Sequence, residues 1–280
     1  MEITLTNFLW IIVVALPISL SGMLLLRKRL GLEYLRNNHE VSDPMVAVMG
    51  MLFAILLGFV LANSMDRFEQ ARTTVRDEAG AVGDIVRLSA GLPPAIGVRV
   101  YNKSLRYVDS VIDDDWKSMR SDKLSEKTQS LFGELWSEAV HYSPQTQGES
   151  NIHQAIIEAM KVASECRRTR TAQLTYRIPQ NLWIVVLLGA LTTVVFTYFL
   201  AVENVKVQIF MTSVVTLVIG LNIYMLCGYD APYSGDICIT PAPFEAIRIV
   251  FKPVPEPAVA PAVTPAATPA PAATVAPAAK

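Results

Sequence analysis

The stretch GFVLANSMDRFEQARTTVRDEAGAV, residues 58–82, begins as apolar sequence suited to a membrane and ends as charged sequence. It contains no proline, and after its first residue the only glycine lies close to its end. In its charged part Val75, Ala79 and Val82 recur every three to four positions, which is the spacing of one face of a helix. We therefore predict a helix that leaves the bilayer without a turn and continues beside it.

The composition indicates a membrane protein. Of the 280 residues, 52% are hydrophobic and 18% are charged, against roughly 25% charged residues in an ordinary soluble domain. The apolar residues are concentrated in four runs of the length that a bilayer requires, about 20 residues each. These runs cover residues 7–26, 45–63, 182–202 and 207–227. We therefore expect the lipid bilayer to surround much of the chain.

The sequence between the second and third runs has helical periodicity. Its second amphipathic segment, for example, places Val100, Leu105, Val108 and Ile112 on one face, and two further segments of this kind follow it. The β-branched residues stand at helical spacings rather than in alternation, so no strand is predicted. The predicted fold is an all-α membrane protein with four transmembrane helices and a helical soluble bundle inserted between spans two and three.

The predicted domain boundaries follow these changes in composition. They are a first transmembrane helix and short basic loop at 1–44, a second transmembrane helix at 45–63, the soluble bundle at 64–180, the hairpin of spans three and four at 181–228, and a post-membrane segment that packs on the bundle at 229–252. The remaining residues, 253–280, are rich in Ala and Pro. Such sequence cannot bury a core, and we predict a disordered tail.

The return from the bundle to span three resembles the exit from span two. A loose linker would show Gly, Ser or Pro at the membrane boundary, whereas Arg167 to Arg177 return the chain to the third run in the same way as it left the second. We therefore predict two continuous helices that join the membrane part rigidly to the soluble bundle.

The sequence lacks the motifs of known catalytic chemistry. It contains no P-loop lysine, GxGxxG, GxSxG or HExxH pattern, and His39, His141 and His153 are isolated. The run Asp113 to Asp115 has no loop that could supply the six to eight oxygens that calcium requires. The net charge of −1 does not suit a nucleic-acid-binding surface, which is normally basic. We predict no enzymatic activity, metal site, cofactor or nucleic-acid partner.

Three stretches resemble the bestrophin-like domain family of bacterial membrane proteins, and the likeness covers roughly residues 50–244. The stretch GFVLANSMDRFEQARTTVRDEA carries the family pattern at Arg67, Glu69, Arg72 and Glu78. The stretch RRTRTAQLTYRIPQNLW carries it at Arg167, Arg168, Arg170, Pro179 and Trp183. The stretch DAPYSGDICITPAPF carries it at Asp230, Pro232, Ser234, Gly235, Pro241 and Phe244. Tyr233 stands where the family usually has Phe.

The resemblance implies a pentameric, anion-selective channel in which span two faces a central pore. Phe53, Leu57 and Val60 would then line a hydrophobic constriction, which is one way that pores gate. Asn63 would lie at its mouth, where Arg67 would attract small anions. If the helix does not line a pore, the same apolar side chains would pack inside the membrane bundle or face lipid. The alternative function is a non-conducting membrane-anchored scaffold or sensor whose helical bundle binds a protein partner.

The resemblance also implies a bacterial inner membrane, but the orientation in it is open. Lys and Arg within about 20 residues of the spans are more numerous on the side of the bundle and the termini, which favours a cytoplasmic bundle. The rule works best on short loops, however, and the short loops alone favour the reverse. We expect the bundle and both termini to be cytoplasmic.

Overall fold

The structure is a computed structural model that describes residues 5–37, 39–200 and 202–255. Its α-helices in chain order are α1 (Leu5–Leu30), α2 (Leu32–Asn37), α3 (His39–Leu88), α4 (Pro94–Ser110), α5 (Trp116–Met119), α6 (Glu126–Val140), α7 (Gln147–Thr175), α8 (Gln180–Thr197), α9 (Val205–Asp230) and α10 (Ala242–Val250). No strand occurs in these ranges. Most of the predicted disordered tail, from residue 256 onward, lies outside the described residues.

Four helices of the described chain are long and apolar enough to cross a membrane: α1, α3, α8 and α9. The predicted all-α fold with four apolar spans is therefore confirmed. Helices α4 to α7 lie between α3 and α8 in the sequence. Together with the second half of α3 and with α10 they form a helical body, which has its own hydrophobic core.

The four apolar helices form what we call the apolar layer, to which α3 contributes its first half. Helix α3 joins this layer to the body without interruption. It has 50 residues, which corresponds to a length of about 75 Å. It begins at His39, so it starts before the apolar run at 45–63 and contains Pro44. A single buried stripe follows the helix from Phe53 in the apolar part to Val75 and Val82 in the body. The predicted helix that leaves the bilayer without a turn is confirmed.

The second predicted continuous helix is wrong. Helix α7 ends at Thr175 and α8 begins at Gln180, so residues 176–179 separate them. Pro179 explains the break, because the residue before a proline is disfavoured in helical backbone and proline has no N–H to donate. The N–H of that preceding residue, Ile178, donates to Asp230 Oδ1 at 2.6 Å. The chain is thus redirected, and held, where it enters the apolar layer.

The body is organised around α3 and α7, which pack along each other, with α4, α6 and α10 completing it. The residues predicted to face inward on the second amphipathic segment, Val100, Leu105, Val108 and Ile112, are all buried. Between α4 and α5 the helix widens to a π-helical segment at Val111–Asp115.

The three aspartates of the π-helical segment contact three different cations. Asp113 lies 3.5 Å from Arg248 and Asp114 lies 2.8 Å from Lys127, whereas Asp115 is buried and accepts a hydrogen bond from Arg170. The carboxylates therefore do not converge on a common point. Within the described residues no group of three or more His, Cys, Asp or Glu side chains is arranged to hold a metal ion.

A buried charge cluster, formed by Glu78, Tyr107, Asp115 and Arg170, connects the helices of the body. The Arg170 guanidinium donates to Glu78 through Nε at 2.7 Å and Nη2 at 3.2 Å, and Nη2 also donates to Asp115 at 2.9 Å. The Tyr107 hydroxyl donates to the same Glu78 carboxylate. Burial alone would lower the pKa of Arg170, but Glu78 beside it raises that pKa well above its ordinary value. Burial and the Glu78 charge raise the pKa of Tyr107.

Helix α1 is attached by polar contacts to α9 and to the residues that follow α8. The hydroxyls of Ser19 and Thr216 lie 3.1 Å apart, and the Tyr198 hydroxyl donates to Ser19 at 3.3 Å. At the end of α1, Arg27 donates to the Val202 carbonyl at 2.7 Å and to the Gln208 side chain. Small polar residues commonly join transmembrane helices in this way.

We predict that Arg170→Met lowers the free energy of unfolding by about 3–5 kcal/mol, because it leaves two buried carboxylates without their cation. Denaturant unfolding of the detergent-purified protein, followed by circular dichroism, measures the change. Arg168→Met is the matched control, since Arg168 is an exposed residue on the same helix that pairs with Glu165. Equal stability of the two variants would contradict this role of the buried charge cluster.

We predict that Gly189→Ala lowers the free energy of unfolding by about 1–3 kcal/mol through overpacking. A Cβ at Gly189 would lie 2.5 Å from Cδ2 of the Phe53 ring, so α3 and α8 would have to separate or the ring would have to move. Gly58→Ala is the control, because nothing lies within 4 Å of a Cβ added there. The same unfolding measurement compares them, and a Gly189→Ala protein as stable as the control would refute this close contact.

Candidate functional site

Helix α3 has an exposed face opposite its buried stripe. In the apolar part this face carries Val48, Ile55 and Phe59, of which Phe59 is 74% exposed. Beyond the apolar part it continues with Asn63 and Asp66, which are exposed as well. One uncovered surface therefore runs from the apolar layer toward the body, and it changes from apolar to polar between Phe59 and Asn63.

Three of the five residues predicted to line a pore lie on the buried side of α3. Phe53, Leu57 and Val60 are each less than a tenth exposed and pack with residues of α8 and α9, among them Val186 and Leu226. They could face a pore only if this packing within the subunit opened. Asn63 is on the exposed face.

Arg67, the fifth predicted residue, is directed toward its own subunit. Its Nη2 lies 3.9 Å from Asp230 Oδ1 and donates to the Ser64 hydroxyl at 3.3 Å. Its guanidinium carbon lies 5.9 Å from the centre of the Tyr176 ring. Its Nε is buried and has no acceptor. The positive charge of Arg67 is thus shared with a carboxylate of the same chain.

Asp230 joins the three stretches that carry the family pattern. It ends α9, it faces Arg67 on α3, and its carboxylate accepts the N–H of Ile178 in the segment before α8. Its carbonyl accepts from Arg177 at 2.9 Å, and Arg177 also pairs with Asp122 of the body at 2.7 Å. These contacts hold the ends of two apolar helices against α3 where the chain leaves the apolar layer.

The third family stretch forms a turn that returns the chain to the body. Gly235 has a φ of 84°, which glycine adopts without steric cost. The Ser234 N–H donates to the Ala231 carbonyl at 3.2 Å, and the Ile239 N–H donates to the Pro232 carbonyl at 2.8 Å. Pro241 then precedes α10, whose Phe244 is fully buried.

The remaining residues of the family pattern have separate structural positions. Glu69 and Arg72 form an exposed pair on α3 at 3.6 Å. The guanidinium of Arg167 lies over the rings of Tyr107 and Phe132, at 5.9 and 5.3 Å from their centres. Trp183 is half-buried in the first turn of α8.

A groove with a volume of about 540 Å³ lies where α3 leaves the apolar layer. We call it the boundary groove. It is formed by side chains of α3 between Phe59 and Arg67 and by the segment Thr175 to Leu182. Two of its residues, Tyr176 and Arg177, were not predicted as site residues from the sequence. The signal for them was their position directly before span three, because aromatic and basic side chains are enriched at membrane interfaces.

Comparisons with known proteins agree with the predicted resemblance. The sequence model of the Bestrophin-like domain matches residues 13–244. No curated protein sequence is similar enough to count as a relative.

Among solved structures, two crystal structures of a bacterial bestrophin homologue from Klebsiella pneumoniae, each with one point mutation, have a similar fold. One has 12% sequence identity over 85% of this chain and 98% of that chain, with a TM-score of 0.66. The other has 14% identity over 87% and 96%, with a TM-score of 0.65. Identities this low show a shared fold, whereas the family match covers most of the sequence itself. The chain therefore belongs to the bestrophin-like domain family and is a multi-pass membrane protein.

Proposed function

We propose that this protein is an oligomeric ion channel of the bacterial inner membrane, with the body and the termini on the cytoplasmic side. The observation that carries the proposal is the uninterrupted helix α3 with its long exposed face. Copies arranged around an axis by this face would enclose one continuous path from the apolar layer into the region between the bodies. Helix α8, by contrast, is separated from the helices of the body by the non-helical residues 176–179.

In such an oligomer, the exposed face of span two lines the conduit. Phe59 takes the place of the hydrophobic constriction, because it is the large apolar side chain next to the polar part of that face. Asn63 lies at the mouth. Phe53, Leu57 and Val60 support the lining helix from behind through their contacts with α8 and α9.

The residues near the mouth allow two predictions for the permeant ion. The resemblance implies small anions attracted by Arg67, but Arg67 is engaged by Asp230 in the subunit. The exposed charge closest to the mouth is Asp66, which accepts a hydrogen bond from Gln70 at 2.7 Å. Rings of carboxylates favour cations in channels. We propose small anions as the first ions to test, with cations as the alternative that Asp66 favours.

A non-conducting scaffold or sensor is the second candidate function. The observation in its favour is an exposed apolar pair on the body, Ile249 and Val250 at the end of α10. Adjacent exposed apolar residues can mark a protein-binding surface. This function predicts a monomer or dimer without ion flux, and a protein partner that crosslinks to α10.

We predict that the protein, reconstituted in liposomes, conducts ions. Halide and potassium fluxes are measured on the same vesicles, and the reversal potential in a salt gradient gives the sign of the permeant ion. Oligomeric state is measured in parallel by native mass spectrometry in mild detergent. Absence of both fluxes, together with a monomer or dimer, would refute the channel and leave the scaffold.

We predict that Phe59→Ala increases the ion flux, because a smaller side chain widens a hydrophobic constriction and lets it hydrate. The matched control is Phe210→Ala, since Phe210 on α9 is a similarly exposed aromatic residue of another span. The same vesicle assay, normalised to the amount of reconstituted protein, compares the two variants. A flux that responds equally to both substitutions would exclude Phe59 as the constriction.

A further inference from the structure

A cavity of about 390 Å³ lies inside the apolar layer, between α1, α8 and α9. We call it the intramembrane cavity. Of its lining residues, Ile12 and Ala190 are less than a tenth exposed, whereas Ile11, Ile18 and Leu191 are more than half exposed. The cavity is therefore open to the surroundings of the helices, which are lipid in a bilayer. None of the described residues that line it belongs to α3, so it is separate from the face that the proposed channel turns toward its axis.

The lining of the intramembrane cavity is apolar except for a few groups. No charged side chain is present among the described residues that form it. Three hydroxyl-bearing residues, Ser19, Tyr198 and Thr216, line it together, and each is less than a tenth exposed. Phe8, which also lines the cavity, is eleven positions before Ser19 on α1, about 16 Å along a helix. An apolar lining with a few convergent polar groups is typical of small-molecule binding sites between helices.

The three hydroxyls are hydrogen-bonded in one direction. Tyr198 donates to Ser19 at 3.3 Å, and Thr216 donates to the Thr212 carbonyl at 2.8 Å. A hydroxyl has only one hydrogen, so Ser19 is the donor in its 3.1 Å contact with Thr216. All three hydrogens are thus used within the chain. The phenolic oxygen of Tyr198, in contrast, accepts no hydrogen bond from any residue that the structure describes.

The hydroxyl cluster therefore offers a ligand an acceptor but no donor. A carbonyl or carboxylate group placed against it would find no hydrogen to accept and would be left unpaired in apolar surroundings, which costs free energy. An O–H group would instead be paired by the Tyr198 oxygen. Because no charged residue of the described chain lines the cavity, a charged ligand would also lack a counter-ion there.

We propose that the intramembrane cavity binds a neutral, membrane-soluble alcohol. Its hydroxyl donates to the oxygen of Tyr198, and its apolar part lies along α1 toward Phe8. The acyl chain of a phospholipid would fill the same apolar space but would leave the Tyr198 oxygen unpaired. Neither this site nor its test depends on ion conduction.

The test is photolabelling of the full chain in lipid nanodiscs with a 1-dodecanol that carries a diazirine near its methyl end. Mass spectrometry is expected to find the label on the peptides of α1 and α9 that contain Phe8 and Ile223, since both residues line the cavity. Label that is absent from these peptides would refute the site.

Competition for the label identifies the group that the site recognises. Unlabelled 1-dodecanol is compared with dodecyl methyl ether, which keeps the oxygen but has no O–H, at equal mole fraction in the lipid. The ether is expected to compete about fivefold less well, because it loses one hydrogen bond. Equal competition by the ether would show that any acyl chain fills the cavity, and stronger competition by dodecanoate would show an anion site. Either result would overturn the proposal.

Two variants connect the effect to the cavity. Ser19→Ala frees the hydrogen of Tyr198 to donate to a ligand, so the ether is expected to compete as well as the alcohol. Ser64→Ala is the matched control, since Ser64 is a buried serine of α3 outside the cavity. Ala15→Leu fills the cavity and leaves its hydroxyls in place, so the label is expected to disappear. Its control is Ala54→Leu, at an exposed alanine of α3.

A preference for the alcohol that is unchanged in Ser19→Ala would refute the role of the hydroxyl cluster. If Ala15→Leu does not fold, Ser19→Ala decides the question alone, because it requires a change in ligand preference rather than a loss of binding. A protein that binds the alcohol in this way and shows no ion flux would refute the channel and support the intramembrane site.

Discussion

The structure depends on the buried ion pair between Glu78 of α3 and Arg170 of α7. Both side chains are out of contact with solvent, so each would be very costly without the other. The pair is hydrogen-bonded twice and completed by Asp115 and Tyr107. A guanidinium and a carboxylate that meet in this way favour the rotation of α3 that turns Glu78 toward α7. That rotation determines which face of the helix packs and which remains exposed, in the body and in the apolar layer alike.

The connection between the membrane helices and the body follows from this constraint. Helix α3 transmits its orientation directly, because it has no break between His39 and Leu88. The chain enters α8 through a non-helical segment, and Asp230 at the end of α9 secures this segment to α3. The same contacts that secure this segment direct Arg67 inward and leave the boundary groove beside it.

Much of the architecture was predictable because hydrophobic periodicity is a local property. The four apolar runs, the helix through residues 58–82 and the inward positions of the second amphipathic segment all follow from the spacing of apolar residues. Pro179 was a local signal for the break before α8. The prediction of a continuous helix gave more weight to the absence of a Gly- or Ser-rich linker. The pairing of Arg170 with Glu78, 92 positions apart in the chain, had no comparable local signal.

The sequence alone determined that this chain is an all-α membrane protein of the bestrophin-like family. Composition, the spacing of apolar residues and the family motifs can all be read from the sequence without knowing which residues are in contact. Only the tertiary structure decided that Phe53, Leu57 and Val60 face α8 and α9 while Phe59 faces outward. Lipid, a neighbouring helix and a hydrophobic pore wall all accept the same apolar side chains. The residue type therefore cannot distinguish these surroundings. Which of them an apolar side chain meets depends on its packing partner, which lies far away in the sequence.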